Sequence, residues 1–202
     1  MKQRNVKHKN GCHRIVLTGG PGGGKTTAVD LYRRELGETV VVVPEAATML
    51  YSGGFPRSDN IDIRLATQAA IFEVQKNLED IQATLYPNRA LLCDRGTLDG
   101  VAYWPGDESS YFSAMGTTLE FELSRYDAVI FFESAAIGNI SIEGGNPIRT
   151  ESIKEAVALD RRLREIWSHH PNFSHIKHDT SFIKKLTSGL IVLNETVAKL
   201  RC

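Results

Sequence analysis

The string Gly19-Gly-Pro-Gly-Gly-Gly-Lys-Thr26 follows the apolar run Arg14-Ile-Val-Leu-Thr18 and opens a segment with helical spacing. It fits G-x-x-x-x-G-K-[ST], the phosphate-binding loop between a strand and a helix. Few architectures accommodate that order. Glycine at Gly20, Gly22, Gly23 and Gly24 lets backbone N–H groups turn inward around phosphate oxygens, and the helix that follows adds its positive end. In such a loop Lys25 reaches the β- and γ-phosphates, Thr26 offers a hydroxyl to Mg²⁺, and Thr27 continues the first helical turn. The expected ligand is a Mg²⁺-bound nucleoside triphosphate, with ATP as donor. GTP fits the same loop, although no NKxD-type guanine-reading motif is present.

The rest of the chain alternates between strand and helix patterns. Thr39–Val43, Ala90–Asp94, Asp127–Phe132 and Phe173–His178 read as strands after the first. Helical spacing recurs over 26–36, 62–85, 117–125, 151–169 and 181–200, whereas 46–60 and 97–116 read as loops. Five strands in this order predict an α/β fold: a P-loop NTPase with a five-stranded parallel sheet, helices on both faces and ligands at the strands' carboxyl ends. At 202 residues the chain suits a single nucleotide-binding domain over 14–202, with a lid region at about 133–165.

Charge narrows the partners. Lys+Arg and Asp+Glu are both 24, so no uniform field favours nucleic acid, and none is expected as a partner. Residues 1–13 carry Lys2, Arg4, Lys7 and Lys9 with no acid, which reads as a basic, disordered tail. Contact with an anionic membrane is the other use such a tail could serve. Cys12, Cys93 and Cys202 lie far apart without metal-ligand spacing, and the apolar runs are strand-sized, so a reducing cytoplasmic setting is expected.

Strand ends supply the candidate chemistry. Glu45 follows the second strand and Asp94 ends the third, so both acids fall on the rim where the triphosphate lies. A carboxylate there either holds Mg²⁺ or takes a proton from an attacking hydroxyl. Asp94 suits the metal and Glu45 the acceptor. Arg95 could clamp phosphate or fix a neighbouring carboxylate. Asp99 and Tyr103 stand where an acceptor pocket could form, and Arg64, Gln68 and Gln75 share one line of a helix whose other side carries Ile63, Ala66, Ala70, Val74, Leu78, Ile81 and Leu85. Among the arginines between 149 and 164, Arg149 lies in an irregular stretch and is the candidate to stabilise charge on a transferring phosphoryl group. For the helical ones, Asp160 with Arg164 and Arg161 with Glu165 are expected i, i+4 pairs.

The strings GGPGGGKTT, VPEAA, DRGTLDGVAY and IRTESIKEA together resemble the small AAA-type ATP-binding domains that include the ribosylnicotinamide kinase domain and relate to thymidylate and deoxynucleoside kinases. The resemblance implies a kinase-like strand arrangement with the Asp94 strand beside the P-loop strand. It also implies Mg²⁺-nucleotide as donor, a lid arginine at Arg149, and Glu45 in the position of the deoxynucleoside kinases' base. VPEAA departs from the pattern of those kinases around that acid. Two functions are therefore expected: a kinase acting on a small nucleoside- or nucleotide-like acceptor, or an ATP/GTP-dependent switch or regulatory NTPase that engages a protein or membrane.

Overall fold

The structure, a computed structural model, describes residues 12–138 and 152–200. Most of the basic tail, residues 139–151 of the expected lid with Arg149, and Cys202 lie outside the described residues. Five strands, β1 (Arg14–Thr18), β2 (Val40–Val43), β3 (Ala90–Asp94), β4 (Ala128–Phe132) and β5 (Phe173–Ile176), form one parallel sheet in the order β2-β3-β1-β4-β5. Val16 pairs with Cys93 on one side and Val129 on the other, so the P-loop strand is central and the Asp94 strand is its neighbour. β1, β3 and β4 are buried from end to end, which is why they read as unbroken apolar runs.

Alternation along the strands divides the core. Ile15, Leu17, Leu92, Ile130 and Phe132 face one side, covered by α1 (Lys25–Leu36) and α8 (Phe182–Leu200). Val16, Leu91, Cys93, Val129 and Phe131 face the other, beneath α3 (Ile61–Leu85) and α7 (Ile153–Trp167). Four shorter α-helices, α2 (Ala46–Ser52), α4 (Asp99–Tyr103), α5 (Glu108–Met115) and α6 (Leu119–Leu123), and two 3-10 turns, Gly37–Thr39 and Ala135–Gly138, are the other helical segments of the described chain.

Two local expectations are corrected. The stretches expected as loops contain α2, α4 and α5. Asp107 starts α5 by accepting the Ser110 N–H, and Gly116 closes it in the left-handed region. The long helix α3 is also rotated from its apolar pattern, of which Leu78 still packs against the core. Thr67, Gln68, Phe72, Gln75 and Glu79 are buried, whereas Ile63, Ile81 and Leu85 are exposed. Glu79 faces inward because distant groups satisfy it: Arg14 at 3.3 Å, Arg125 at 2.8 Å and the Tyr126 hydroxyl at 2.8 Å. Buried charge of this kind is tolerable only when it is paired and hydrogen-bonded.

α8 presents Leu186, Gly189, Leu193 and Val197 to the core. At Gly189 a Cβ would collide with the Tyr32 hydroxyl and come within 2.5 Å of the Phe132 ring. That hydroxyl is fixed by donating to the Leu186 carbonyl at 2.7 Å. Alanine is the better helix former by about 1 kcal/mol, yet overpacking of a fixed core costs about 1–3 kcal/mol. Gly189→Ala is therefore expected to lower the urea midpoint at unchanged slope. A raised midpoint would show that Tyr32 has room to move.

Candidate functional site

The P-loop lies between β1 and α1. Gly24 has φ 85°, in the left-handed region, and the Phe182 ring lies 2.5 Å from where its Cβ would be, so only glycine fits where α1 begins. Lys25 is 2% exposed, and its Nζ donates to the carbonyls of Gly19 and Gly20, both at 2.7 Å. Thr26 and Thr27 stand exposed in the first turn of α1.

The back of this loop is held by groups that sequence reasoning did not single out for it. Asp160 on α7 accepts the N–H groups of Gly20 at 3.0 Å and Ser134 at 2.7 Å. The Ser134 hydroxyl donates to the Pro21 carbonyl at 2.5 Å, and Lys185 on α8 donates to the carbonyls of Gly23 at 2.8 Å and Glu133 at 2.5 Å. Burial lowers the Lys185 ammonium to about 8, despite the opposing pull of Asp160 and Glu133. The expected pairing of Asp160 with Arg164 is replaced: Asp160 serves the loop, and Arg164 lies 3.6 Å from Glu133. A signal was present, since Asp160 shares the inward face of its helix with Ala156, Leu163 and Trp167, and Lys185 falls in line with Gly189 and Leu193. A charge on a core-facing stripe needs a buried partner.

Glu45, Asp94, Arg95 and Asp99 converge beside the loop. Arg95 has φ 72°, the one non-glycine positive φ among the described residues. This turn brings its Nε to Glu45 Oε1 at 2.5 Å and its Nη1 to Asp99 Oδ1 at 2.7 Å and the Gly19 carbonyl at 3.5 Å. Asp99 also accepts from the Thr18 hydroxyl at 2.7 Å, the Gly96 N–H at 3.1 Å and the Trp167 indole at 3.1 Å. Its oxygens are engaged within the protein, which makes it a support for Arg95. Gln75 donates to the Arg95 carbonyl at 3.3 Å and to Glu79 at 3.2 Å.

The two rim acids are driven apart electrostatically. Burial raises Glu45, but the Arg95 guanidinium, the Thr48 hydroxyl and Lys25 outweigh it and bring the carboxyl down to about 2. Asp94 accepts no hydrogen bond from a described side chain. Burial first, and the Glu45 charge second, raise it to about 6 against the pull of Lys25 and Arg95. A carboxylate depressed in the fold contributes stability that is complete above its unfolded value, near 4.5, and is lost as pH falls from there towards 2. The stability gap between the wild type and Glu45→Gln, followed by urea titration, is expected to be largest near neutral pH and to shrink steadily as pH falls from about 4.5 towards 2. A gap that stays constant down to pH 3 would show that the Arg95 contact does not hold the charge.

A cavity of about 110 Å³ opens from this group, with Pro21, Glu45 and Arg95 at one end and Tyr51, Phe72 and Tyr111 among its walls. Gln68, Asp99 and Tyr103 also line it, as does Gln75. The Gln68 amide makes no hydrogen bond within the described protein and is 9% exposed. Arg64 stands outside this cavity and donates to the Tyr103 carbonyl at 3.2 Å. Of the sequence-derived acceptor residues, Glu45, Gln68, Arg95 and Asp99 thus meet at one cavity, and Arg64 borders its outer neighbour.

A family model described as AAA domain matches residues 14–182. No curated protein matches the chain. Among solved structures, deoxyadenosine kinase from M. mycoides with the products dCMP and a flexible dCDP bound superposes with a TM-score of 0.61 at 16% identity, covering 90% of this chain and 99% of that one. That similarity establishes a common fold, the α/β P-loop arrangement seen in the sheet. No helix among the described residues is long and apolar enough to cross a membrane.

Proposed function

Because the chain belongs to the AAA domain family and carries its P-loop, we propose that it is a Mg²⁺-dependent kinase transferring the γ-phosphoryl group of ATP to a hydroxyl of a small nucleoside- or nucleotide-like acceptor. The observation that carries this reading is the cavity whose Glu45–Arg95 end meets the P-loop at Pro21. A walled cavity beside the phosphate loop gives an acceptor a place to bind, which a nucleotide-dependent switch does not require. A protein of the same fold with dCMP and dCDP bound supports an acceptor of nucleoside size.

The residues fit the cation. Asp94 accepts no side-chain hydrogen bond and is raised first by burial and second by the neighbouring Glu45 carboxylate, an arrangement that a divalent ion relieves. Thr26 and Asp94 would hold Mg²⁺, which when bound supplies charge neutralisation across the β- and γ-phosphate oxygens. The exposed α1 hydroxyls and the positively twisted glycines complete a cradle for polyphosphate.

In the proposed reaction Lys25 leaves the Gly19 and Gly20 carbonyls for the phosphate oxygens. Glu45, kept ionised by Arg95, accepts a hydrogen bond from the acceptor hydroxyl and orients its oxygen in line. The oxygen–phosphorus bond forms as the bond to the β-phosphate oxygen breaks. The hydroxyl proton passes to Glu45 late, because a carboxylate with a value of about 2 is a weak base until charge leaves the hydroxyl. Arg149 is assigned the stabilisation of the transferring group's charge. ATP, Mg²⁺ and a panel of nucleosides, nucleotides and small hydroxyl metabolites, read by ADP release, test the reading. ADP should appear well above bare hydrolysis with a narrow set of acceptors, and a panel that never exceeds hydrolysis would overturn it.

A further inference from the structure

Beyond the first cavity lies a second, of about 190 Å³, lined by Tyr51, Arg57, Ser58, Arg64 and Gln68 among others. Tyr51, Arg57, Gln68 and Tyr103 line both, so the two form one elongated cleft along α3. From Gln75, which bonds the Arg95 carbonyl, back to Arg64 the helix axis runs about 16 Å. The cleft therefore has a reactive end at Glu45, an aromatic middle, and an outer end that is chemically different.

That outer end is cationic. Arg57 lies over the Tyr51 ring at 4.1 Å, and Arg64 is anchored to the Tyr103 carbonyl. Neither guanidinium pairs with a carboxylate among the described residues, although Asp59 stands on the same rim. Each is positioned by a neutral contact that leaves donors free. Two guanidiniums facing one space repel each other unless an anion lies between them, and their planar forks match phosphate and carboxylate oxygens. Near the reactive end the opposite holds: Arg95 is neutralised by Glu45 and Asp99.

We infer that the acceptor is an elongated hydroxyl compound bearing a phosphate or carboxylate at the end remote from the reacting hydroxyl, with Arg57 and Arg64 as the residues that select it. This rests on the kinase reading and narrows it to an anionic acceptor class. A neutral nucleoside leaves the outer arginines without a partner, and a cationic acceptor is repelled by them.

Paired acceptors test it: nucleosides against their 3′-monophosphates, and ω-hydroxycarboxylates against the corresponding amides, with ATP and Mg²⁺. The anionic member of a pair is expected to show kcat/KM about tenfold or more above its neutral partner, with the advantage shrinking as salt rises. In Arg57→Gln/Arg64→Gln, two exposed positions, that ratio should approach one. Equal use of both members by the wild type, or a ratio that survives the double substitution, overturns the inference. Should no acceptor of either kind be phosphorylated, the kinase reading fails and calorimetry decides this one. With the donor site filled by a non-hydrolysable ATP analogue, nucleoside 3′-monophosphates are titrated into both proteins. Saturable binding weakened about tenfold in the double variant upholds the anionic end, whereas no binding, or binding indifferent to the two arginines, overturns it.

Discussion

Turnover by Lys25→Ala is expected to fall at least about a thousandfold, with nucleotide affinity reduced and the fold retained. Phosphoryl transfer spreads negative charge over the transferred group, and a positioned ammonium in a site that excludes water is a large share of what a P-loop offers it. Lys25 Nζ is held by two carbonyls of the loop itself at 2.7 Å, which keeps the charge within the phosphate-binding turn. Lys185 cannot replace it. That ammonium approaches the loop from α8 and is bound to the Gly23 and Glu133 carbonyls. Circular dichroism and thermal unfolding should show a folded variant, since alanine suits the first turn of α1 and removes a buried charge together with its bonds to the Gly19 and Gly20 carbonyls. Calorimetry with Mg²⁺-ATP and steady-state ADP release measure the loss. Activity within tenfold of the wild type would mean that this loop does not bind the transferred phosphates.

Local physics made much of this legible in the sequence. The P-loop, the five strands and the acids at two strand ends are each written in short runs of residues, because a buried parallel strand needs a continuous apolar run and a phosphate loop needs glycine at set positions. The parts that escaped depend on partners far away in the chain. Nothing near Glu79 in sequence announces Arg14 and Arg125, yet these decide which face of α3 is buried and so turn Gln68 and Gln75 inward. Asp99 reads as a pocket residue from its spacing to Asp94, and does line the cavity. Its four donors come from β1, the turn after β3 and α7, a convergence that spacing cannot show. The left-handed backbone at Arg95 is likewise silent in sequence, since glycine or asparagine would be the ordinary signal for it.

The ion pairs that Arg95 makes with Glu45 and Asp99 carry the largest expected effect on stability. Arg95→Met should destabilise the protein by about 3–5 kcal/mol near neutral pH, because removing one partner of a buried ion pair leaves the others' charge uncompensated. Arg95 is 7% exposed and serves two carboxylates, Glu45 at 2.5 Å and Asp99 at 2.7 Å, with Asp94 close enough to feel Glu45. Methionine matches the side chain in length and keeps much of the packing, so the loss reports charge and hydrogen bonding more than volume. The backbone strain at φ 72° is common to both proteins and cancels. The sign with pH follows from the wild type: its Glu45 contribution is complete above about 4.5 and fades as pH falls towards 2, whereas the variant's orphaned acids protonate readily. The deficit measured by urea unfolding should therefore narrow as pH drops from 7 to 4. Arg95→Lys, which restores charge without the planar fork, should recover part of the stability and less of the activity, since Glu45 would no longer be held in one orientation. A deficit below about 1 kcal/mol that does not change with pH would identify the cluster as solvated surface charge, and would remove Glu45 from the position assigned to it beside the acceptor.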